Sequence, residues 1–336
     1  MKHRALRWRI GPLETFGLKP LLPALRQCLQ AIVGDPYSAG TRFGLSSLRM
    51  FHPTLSLPTW LGLSRPDRRA PLINLFNRRA PSLEGGAAFD VRVTDVEDFR
   101  GGGVSYNTHF GVDFAVPVGT RVAAPAPGIV RRVENLMHRG GLKFFIDHGA
   151  GLITLGNHLS RAFVEEGQVV RRGEVIGLSG MSSVDGLIAF PWLAPHLHFS
   201  AILNGEAVDP FAREGEQALW IDGNDPKPAQ QLSSDGQPWG DDEWDPAGVA
   251  DAIAACRSSE HRLQIERLAT LAERGAAIAY WRYFSAGIFE RYPQLYRCVH
   301  PRQPRLCLPF APEDVSGVAF IPVGLRRFVN ANGASV

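Results

Sequence analysis

The feature that most constrains this chain is the regular spacing of glycine and proline between short apolar runs in residues 87–212. The whole sequence has 35 glycines and 25 prolines in 336 residues, about 18%, against about 12% on average. Runs that recur every 8–12 residues or so with turn residues between them are typical of an antiparallel β-sandwich or barrel. The predicted strands lie at 112–116, 121–124, 128–133, 142–147, 152–155, 168–170, 175–178 and 196–203.

The flanking segments have a different character, so we divide the chain into four parts. Residues 1–86 form a basic, irregular N-terminal arm with short helices or turns, and residues 87–212 form a β domain. An acidic linker follows at 213–244, rich in Gly, Pro, Asp and Ser. Residues 245–336 form a helical C-terminal region. It is predicted to be α-helical over 245–292, beginning at the capping pair Asp245-Pro246, and irregular from Pro293 onward. We expect a break near Ser258 and a helix end at Gly275.

Charge is unevenly distributed along the chain, although the net charge is only +3. Residues 1–80 contain thirteen Lys or Arg and only Glu14, Asp35 and Asp67 as acids, whereas residues 214–251 contain ten acids against Lys227. Opposite charges attract, so the basic arm and the acidic linker could contact each other. Nucleic acid is not expected as a partner, because the basic residues form no recognisable binding motif.

The sequence also bears on cellular context. No stretch approaches the roughly 20 apolar residues of a transmembrane span, and no signal peptide is visible, because Glu14, Lys19 and Arg26 interrupt the apolar residues near the start. The four cysteines are too few for a disulfide scaffold. Whether Cys298 and Cys307 pair in an oxidising compartment stays open.

Histidines and one aspartate in the β-rich segment suggest a metal site. In a straight strand, His109 and Asp113 would lie about 13 Å apart, so they can share a metal only if the chain bends, which Gly111 permits. His196 and His198 lie two residues apart, so in a strand they face the same way and Leu197 faces the core. Two histidines and one aspartate make a three-ligand zinc set with an open fourth position, which is the catalytic pattern.

The ordered set of motifs over 105–212 resembles the LytM/lysostaphin-type zinc metallopeptidases. Each piece is short, but all occur in the order of that family. The matching pieces are SYNTHFGVDF at 105–114, PVGT at 117–120, APAPG at 124–128, IDHG at 146–149, NHLS at 157–160, GQVV at 167–170, GEVIG at 173–177, PHLHF at 195–199, NG at 204–205 and VDP at 208–210.

The resemblance implies a compact β-sheet peptidase domain with one Zn²⁺ in a groove. Carried over motif by motif, His109, Asp113 and His198 would be the zinc ligands, and His158 and His196 the non-ligand catalytic histidines. The sequence departs from the family at Gly156, where an aromatic residue is usual, and at Ser200, where an acid is frequent.

One insertion could shape the substrate groove. The family's tight turn before its closing motif is expanded here by SSVDGLIAFPWL within residues 181–194. We interpret this apolar stretch as a lid or groove wall, with a packed surface loop as the alternative. Asn107, Phe190 and Trp192 are the candidate groove residues.

Three functions are compatible with these motifs. The first is a zinc-dependent endopeptidase that hydrolyses peptide bonds in peptidoglycan stem or cross-bridge peptides, with zinc-bound water as nucleophile. The second is a non-catalytic family member that binds and activates a cell-wall amidase; such proteins typically lack part of the zinc set. The third, a carrier-type barrel, needs a modifiable lysine where this chain has Arg171 and Arg172.

The family also implies a location and a role for the arm. A cell-wall enzyme acts in the cell envelope or periplasm, which contrasts with the lack of a visible signal peptide. Residues 1–85 could occlude the groove or bind an anionic wall polymer. If the arm occludes the groove, deleting residues 1–85 should raise activity.

Overall fold

The computed structural model describes residues 8–79, 89–103, 105–234 and 243–321. Its α-helices are α1 Pro12–Thr15, α2 Leu21–Val33, α3 Pro53–Trp60, α4 Val184–Ile188, α5 Pro246–Ala254, α6 Ser259–Glu266 and α7 Leu271–Ser285. Among the described residues, 3-10 helices lie at Leu45–Met50, Met137–Arg139 and Ala286–Ile288.

The strands follow the predicted runs closely in the middle of the chain. They are β1 Gly34–Asp35, β2 Ser38–Ala39, β3 Arg69–Asn74, β4 Val112–Ala115, β5 Arg121–Ala123, β6 Gly128–Leu136, β7 Gly141–Asp147, β8 Leu152–Ala162, β9 Val169–Val170, β10 Val175–Ser179, β11 His196–Leu203, β12 Glu206–Val208 and β13 Gly317–Phe320.

One large sheet of eleven strands organises the molecule. Its main path runs β13-β3-β4-β11-β8-β7-β6-β9, while β10 pairs with β5 and β8, and β12 pairs with β11. Every pairing is antiparallel except that of β3 with β13, which is parallel. The prediction of a mainly β fold with helices in the C-terminal region is therefore confirmed, with the refinement that the sheet is mixed.

The sheet extends beyond the predicted β segment at 87–212. Strand β3 comes from the N-terminal arm and pairs with β4, and β13 comes from the C-terminal region and pairs with β3. β3 is buried along most of its length. β3, which contains residues 72–74 of the apolar run 72–76, is therefore an internal strand of the sheet.

Along β4 and β11, successive side chains point to opposite faces of the sheet, so one face packs into the core and the other carries the polar site. Phe114, Leu197 and Phe199 are fully buried on the core side, where the ring of Phe199 stacks on Trp220 at 5.3 Å between centroids. Phe310, from the C-terminal region, meets Phe114 at 5.7 Å. Burial of each such side chain stabilises the fold by about 1.5–3 kcal/mol, so the flanks and the β segment share one core.

The predicted helix end at Gly275 is wrong, because α7 continues through it to Ser285. The reason is packing against Trp244, which is fully buried. A Cβ at position 275 would lie 2.1 Å from the Trp244 ring. Glycine is therefore needed here for a close approach inside the helix rather than for a turn.

Ion pairs connect the segments of opposite charge. Arg69 of the arm pairs with Asp225, and Arg78 pairs with Glu216 at 2.9 Å, so arm and linker are in contact. The four cysteines, all among the described residues, form no disulfide. Within the described ranges, every helix is too short or too polar to cross a membrane.

Candidate metal centre and active site

The pairing of β4 with β11 brings the first two candidate ligands, Asp113 and His198, together. In this antiparallel register, His198 lies directly opposite Asp113, and on its other side it lies opposite Asn157 of β8. His109 reaches the same point because the chain bends at Gly111 and passes close over β11. A Cβ on Gly111 would lie 2.5 Å from Ser200 Oγ and 2.6 Å from Phe199 O, so glycine is required.

Three donor atoms form a compact triangle at this point. His109 Nε2 lies 3.2 Å from both Asp113 Oδ1 and His198 Nδ1, and the Asp113 and His198 atoms are 2.8 Å apart. In a tetrahedral zinc site with ligand distances near 2.0–2.1 Å, the ligand atoms are about 3.3–3.4 Å apart. Two imidazole nitrogens and one carboxylate oxygen at nearly this spacing fit one face of such a tetrahedron.

Hydrogen bonds orient each of these three side chains. His109 Nδ1 donates a hydrogen bond to Leu75 O at 2.7 Å, so the lone pair of Nε2 is available to a metal. Asn74 Nδ2 donates to Asp113 Oδ2 at 2.8 Å, which leaves Oδ1 facing the triangle. Such outer hydrogen bonds fix the tautomer and orientation of metal ligands.

These supporting residues were missed in the sequence, because β3 lies outside the predicted β segment. Asn74 is buried within the otherwise apolar run 72–76. A polar residue in such a run indicates a buried hydrogen bond, and this was the sequence feature that could have identified Asn74. Tyr283 of α7 also reaches the site, at 3.3 Å from His198 Nε2. No spacing rule connects a helix residue at 283 to a motif at 196–198.

Two further histidines lie beside the triangle. The rings of His158 and His196 are 4.7 Å apart between centroids, and His196 Nε2 lies 3.8 Å from Asp113 Oδ2. His196 Nδ1 donates to Ala194 O at 2.8 Å, and His158 Nδ1 donates to Ser182 O at 3.0 Å. Because a carbonyl oxygen can only accept, Nδ1 carries a proton in each ring, and in the neutral tautomer Nε2 is the basic nitrogen.

A β-bulge in β8 places His158. Strand β7 has only Lys143 between the pairs Leu142–Leu159 and Phe144–Gly156, whereas β8 has both Asn157 and His158 in that interval. His158 adopts φ 64°, in the left-handed region. A bulge with one residue in this conformation redirects a side chain out of the normal alternation, so His158 reaches the site although its neighbours follow the strand.

Burial and charge set the protonation of the site. Burial alone would raise the pKa of Asp113, but its close contacts with His109, His196 and His198 hold that pKa well below its ordinary value. Burial, followed by the charges of His196 and His198, lowers the pKa of His158 well below the usual range. The site therefore holds an ionised carboxylate beside a neutral His158.

The three predicted groove residues lie in different environments. Asn107 accepts hydrogen bonds from Thr94 and donates to Asp90 at 3.1 Å, so it ties two loops together. Phe190 is half-exposed and packs on Trp60 of α3 at 5.0 Å between centroids. Trp192 is also half-exposed. Their role as groove residues stays a prediction.

The insertion at 181–194 is held by the N-terminal arm. It contains α4, and its backbone accepts from Trp60 Nε1 at Leu193 O, 3.0 Å away. Met181 N donates to Thr15 O at 2.9 Å, which fixes the backbone next to Ser182, the acceptor for His158. The N-terminal arm thus holds the backbone of the insertion in place next to the site.

Comparison with known families identifies the central segment. Residues 107–210 match the model described as peptidase family M23. The segment with the candidate ligands is therefore similar to M23 peptidases. The resemblance to LytM/lysostaphin-type peptidases is confirmed for this part of the chain.

Individual relatives match over the same segment. The chain is 40% identical over 103 residues to an uncharacterized metalloprotease of Haemophilus influenzae, covering 31% of this chain and 20% of that one. It is 39% identical over 102 residues to the peptidoglycan DD-endopeptidase ShyA of Vibrio cholerae, covering 30% and 22%. This chain therefore spans about a fifth of the length of these two curated relatives.

Solved structures show matches of similar extent. A putative M23 peptidase from Pseudomonas aeruginosa is 40% identical, covering 30% of this chain and 41% of that one, with a TM-score of 0.27. The catalytic domain of lysostaphin from Staphylococcus simulans is 31% identical, covering 31% and 77%, with a TM-score of 0.28.

Proposed function

We propose that the protein is a zinc endopeptidase that hydrolyses peptide bonds in peptidoglycan stem or cross-bridge peptides, and that it acts in the cell envelope. The observation that carries this proposal is the triangle of His109, Asp113 and His198, with two basic imidazoles beside it. The similarity of the M23 domain to a peptidoglycan DD-endopeptidase supports the substrate class.

The three triangle atoms would hold the metal. His109 Nε2, Asp113 Oδ1 and His198 Nδ1 supply two neutral imidazoles and a carboxylate, a donor set that suits zinc and leaves one position open. When bound, zinc would polarise the scissile carbonyl and lower the pKa of its water toward ~7. The low pKa of Asp113 keeps its carboxylate ionised and available as a ligand.

The two remaining histidines would carry out the proton transfers. His196 Nε2 is free to accept a proton, because its Nδ1–H is anchored on Ala194 O, and we assign it as the general base. His158, neutral and anchored on Ser182 O, presents a second acceptor that can orient the attacking water. After taking up a proton, either ring could donate it to the leaving amine.

A non-catalytic activator of a cell-wall amidase is the alternative. Such a role does not require a complete zinc set with two additional basic histidines. Here all five side chains come together within one buried site, which argues for turnover.

Replacing His196 with alanine should separate metal binding from catalysis. We expect His196→Ala to keep one zinc per chain but to release peptides from purified sacculi at least about 100-fold more slowly, because general-base catalysis typically contributes that much. Mass spectrometry of the released fragments, with and without chelator, identifies the bond that is cut.

The matched control for this variant is His300→Ala, which removes a histidine outside the site. It should digest sacculi at the rate of the unmodified protein. Loss of zinc from His196→Ala would instead show that His196 is a zinc ligand and that one of the proposed ligands is not. Release of peptides at an undiminished rate would contradict the general-base assignment.

A further inference from the structure

Helix α2 has its large apolar residues on the outside. The residues that it buries are small, Ala24 and Ala31. The exposed side chains follow the spacing i, i+3, i+7, i+10, i+11, which is one face of a helix, and their exposed fractions are 50–79%: Leu22, Leu25, Leu29, Ile32 and Val33. Among the described residues nothing covers this face, so it is an apolar surface rather than a set of scattered exposed residues.

The charges around this face are of one sign. Lys19 and Arg26 are exposed, and among the described residues neither forms an ion pair. The two acids nearest in sequence face the β domain instead, where Glu14 pairs with Arg161 and Asp35 with Arg139, both at 2.6 Å. The acids are thus neutralised internally, whereas the cations remain free to meet an external anion.

We propose that this face of α2 binds the surface of an anionic lipid bilayer. A soluble polyanion would engage the cations but leave the apolar side chains in water. A bilayer interface accommodates both, because the apolar side chains enter the acyl boundary while lysine and arginine stay at the headgroups. The helix has 13 residues, about 20 Å in length, so it would lie along the interface.

Vesicle binding by the full chain tests this inference. The protein should sediment with vesicles of phosphatidylglycerol and phosphatidylcholine, and at least about tenfold less with phosphatidylcholine alone. Leu25→Gln combined with Leu29→Gln should reduce binding to the anionic vesicles by about tenfold or more, because two apolar side chains that would enter the bilayer are lost. Leu232→Gln with Leu263→Gln, similarly exposed elsewhere, is the matched control.

Three results would overturn the proposal. The first is equal binding to neutral and anionic vesicles, and the second is an equal loss of binding in the control pair. The third is a concentration-dependent dimer in lipid-free solution that the α2 pair abolishes, because the occupant would then be a second copy of this chain.

A separate observation concerns the helical C-terminal region. A chain of hydrogen bonds runs from His198 through Ser200 and Tyr283 of α7 to the backbone carbonyl of Phe110. His198 Nε2 lies 3.0 Å from Ser200 Oγ, Ser200 Oγ lies 2.6 Å from Tyr283 Oη, and Tyr283 Oη donates to Phe110 O at 3.4 Å. Because a carbonyl ends the chain, each hydroxyl donates away from His198 and the first link is His198 Nε2–H to Ser200 Oγ.

We infer that Tyr283 is a positioning residue for the metal ligand His198, an inference that rests on the proposed zinc site. With Nε2 protonated, the lone pair of His198 lies on Nδ1, the atom in the metal triangle. Ser200 and Tyr283 both lie within hydrogen-bond distance of Nε2 of His198. A helix outside the M23 segment thereby completes the metal centre.

Zinc affinity measured by competition with a chelator tests this role. Tyr283→Phe should bind zinc about tenfold more weakly, within the range typical for lost outer hydrogen bonds, and should change the visible spectrum of the cobalt-substituted protein. Tyr280→Phe, on the same helix but bonded to Glu134, should change neither.

The outcomes separate this inference from the proposed function. If unmodified protein binds no zinc, the proposed function fails. If it binds zinc and Tyr283→Phe binds equally well with an unchanged cobalt spectrum, only the positioning role is overturned.

Discussion

Alanine in place of His198 should leave the protein without stoichiometric zinc and without peptidase activity. The variant removes one of three donors whose atoms lie within 3.2 Å of one another. A site reduced to His109 and Asp113 has too few donors for tight zinc binding, so we expect affinity to fall by more than about 100-fold.

Metal analysis after dialysis against buffered zinc measures this effect directly. His196→Ala is the internal control, because it changes the neighbouring histidine on the same strand face but should retain zinc. One equivalent of zinc in His198→Ala would contradict its assignment as a ligand. Loss of zinc from both variants, with both folded, would point to a different ligand set.

Deletion of residues 1–85 should abolish zinc binding rather than raise activity. The deletion removes β3, which pairs with the strand that contains Asp113, and takes away both Asn74 and Leu75 O, the partners of Asp113 and His109. Leu72 and Ile73 are fully buried, so about 1.5–3 kcal/mol of stabilisation is lost for each. Raised activity, the expectation for an occluding arm, would contradict this account.

A point variant distinguishes loss of the fold from loss of the hydrogen bond. Asn74→Ala keeps the strand but removes the donor to Asp113 Oδ2, so zinc affinity should fall by about 10–100-fold in a folded protein. Asn77→Ala is the matched control, because Asn77 is also buried but donates to the backbone at 106 and 107. Chelator competition and thermal unfolding of both variants provide the comparison.

Much of the site could be predicted because its residues lie in local patterns. His196 and His198 lie on one strand face because side chains alternate with period two. Gly111 marks the bend that brings His109 to Asp113. The strands of residues 112–203 were predictable for the same reason, since glycine and proline mark their ends.

The remaining features depend on contacts that are distant in sequence. Asn74 lies 39 residues from Asp113, and Tyr283 lies 85 residues from His198; neither separation has a sequence signature. A glycine near the end of an apolar pattern predicts a helix end, whereas Gly275 lies inside α7 and makes room for the Trp244 ring. His158 occupies a bulge, which only the register of two strands reveals.

The central claim is that metal held by His109, Asp113 and His198 enables cleavage of peptidoglycan peptides. Its most direct test is to strip the protein of metal, titrate zinc back and follow peptide release from purified sacculi by mass spectrometry. The account predicts no release from stripped protein and full recovery at one zinc per chain. Undiminished release after stripping, or no release at full zinc occupancy, would contradict it.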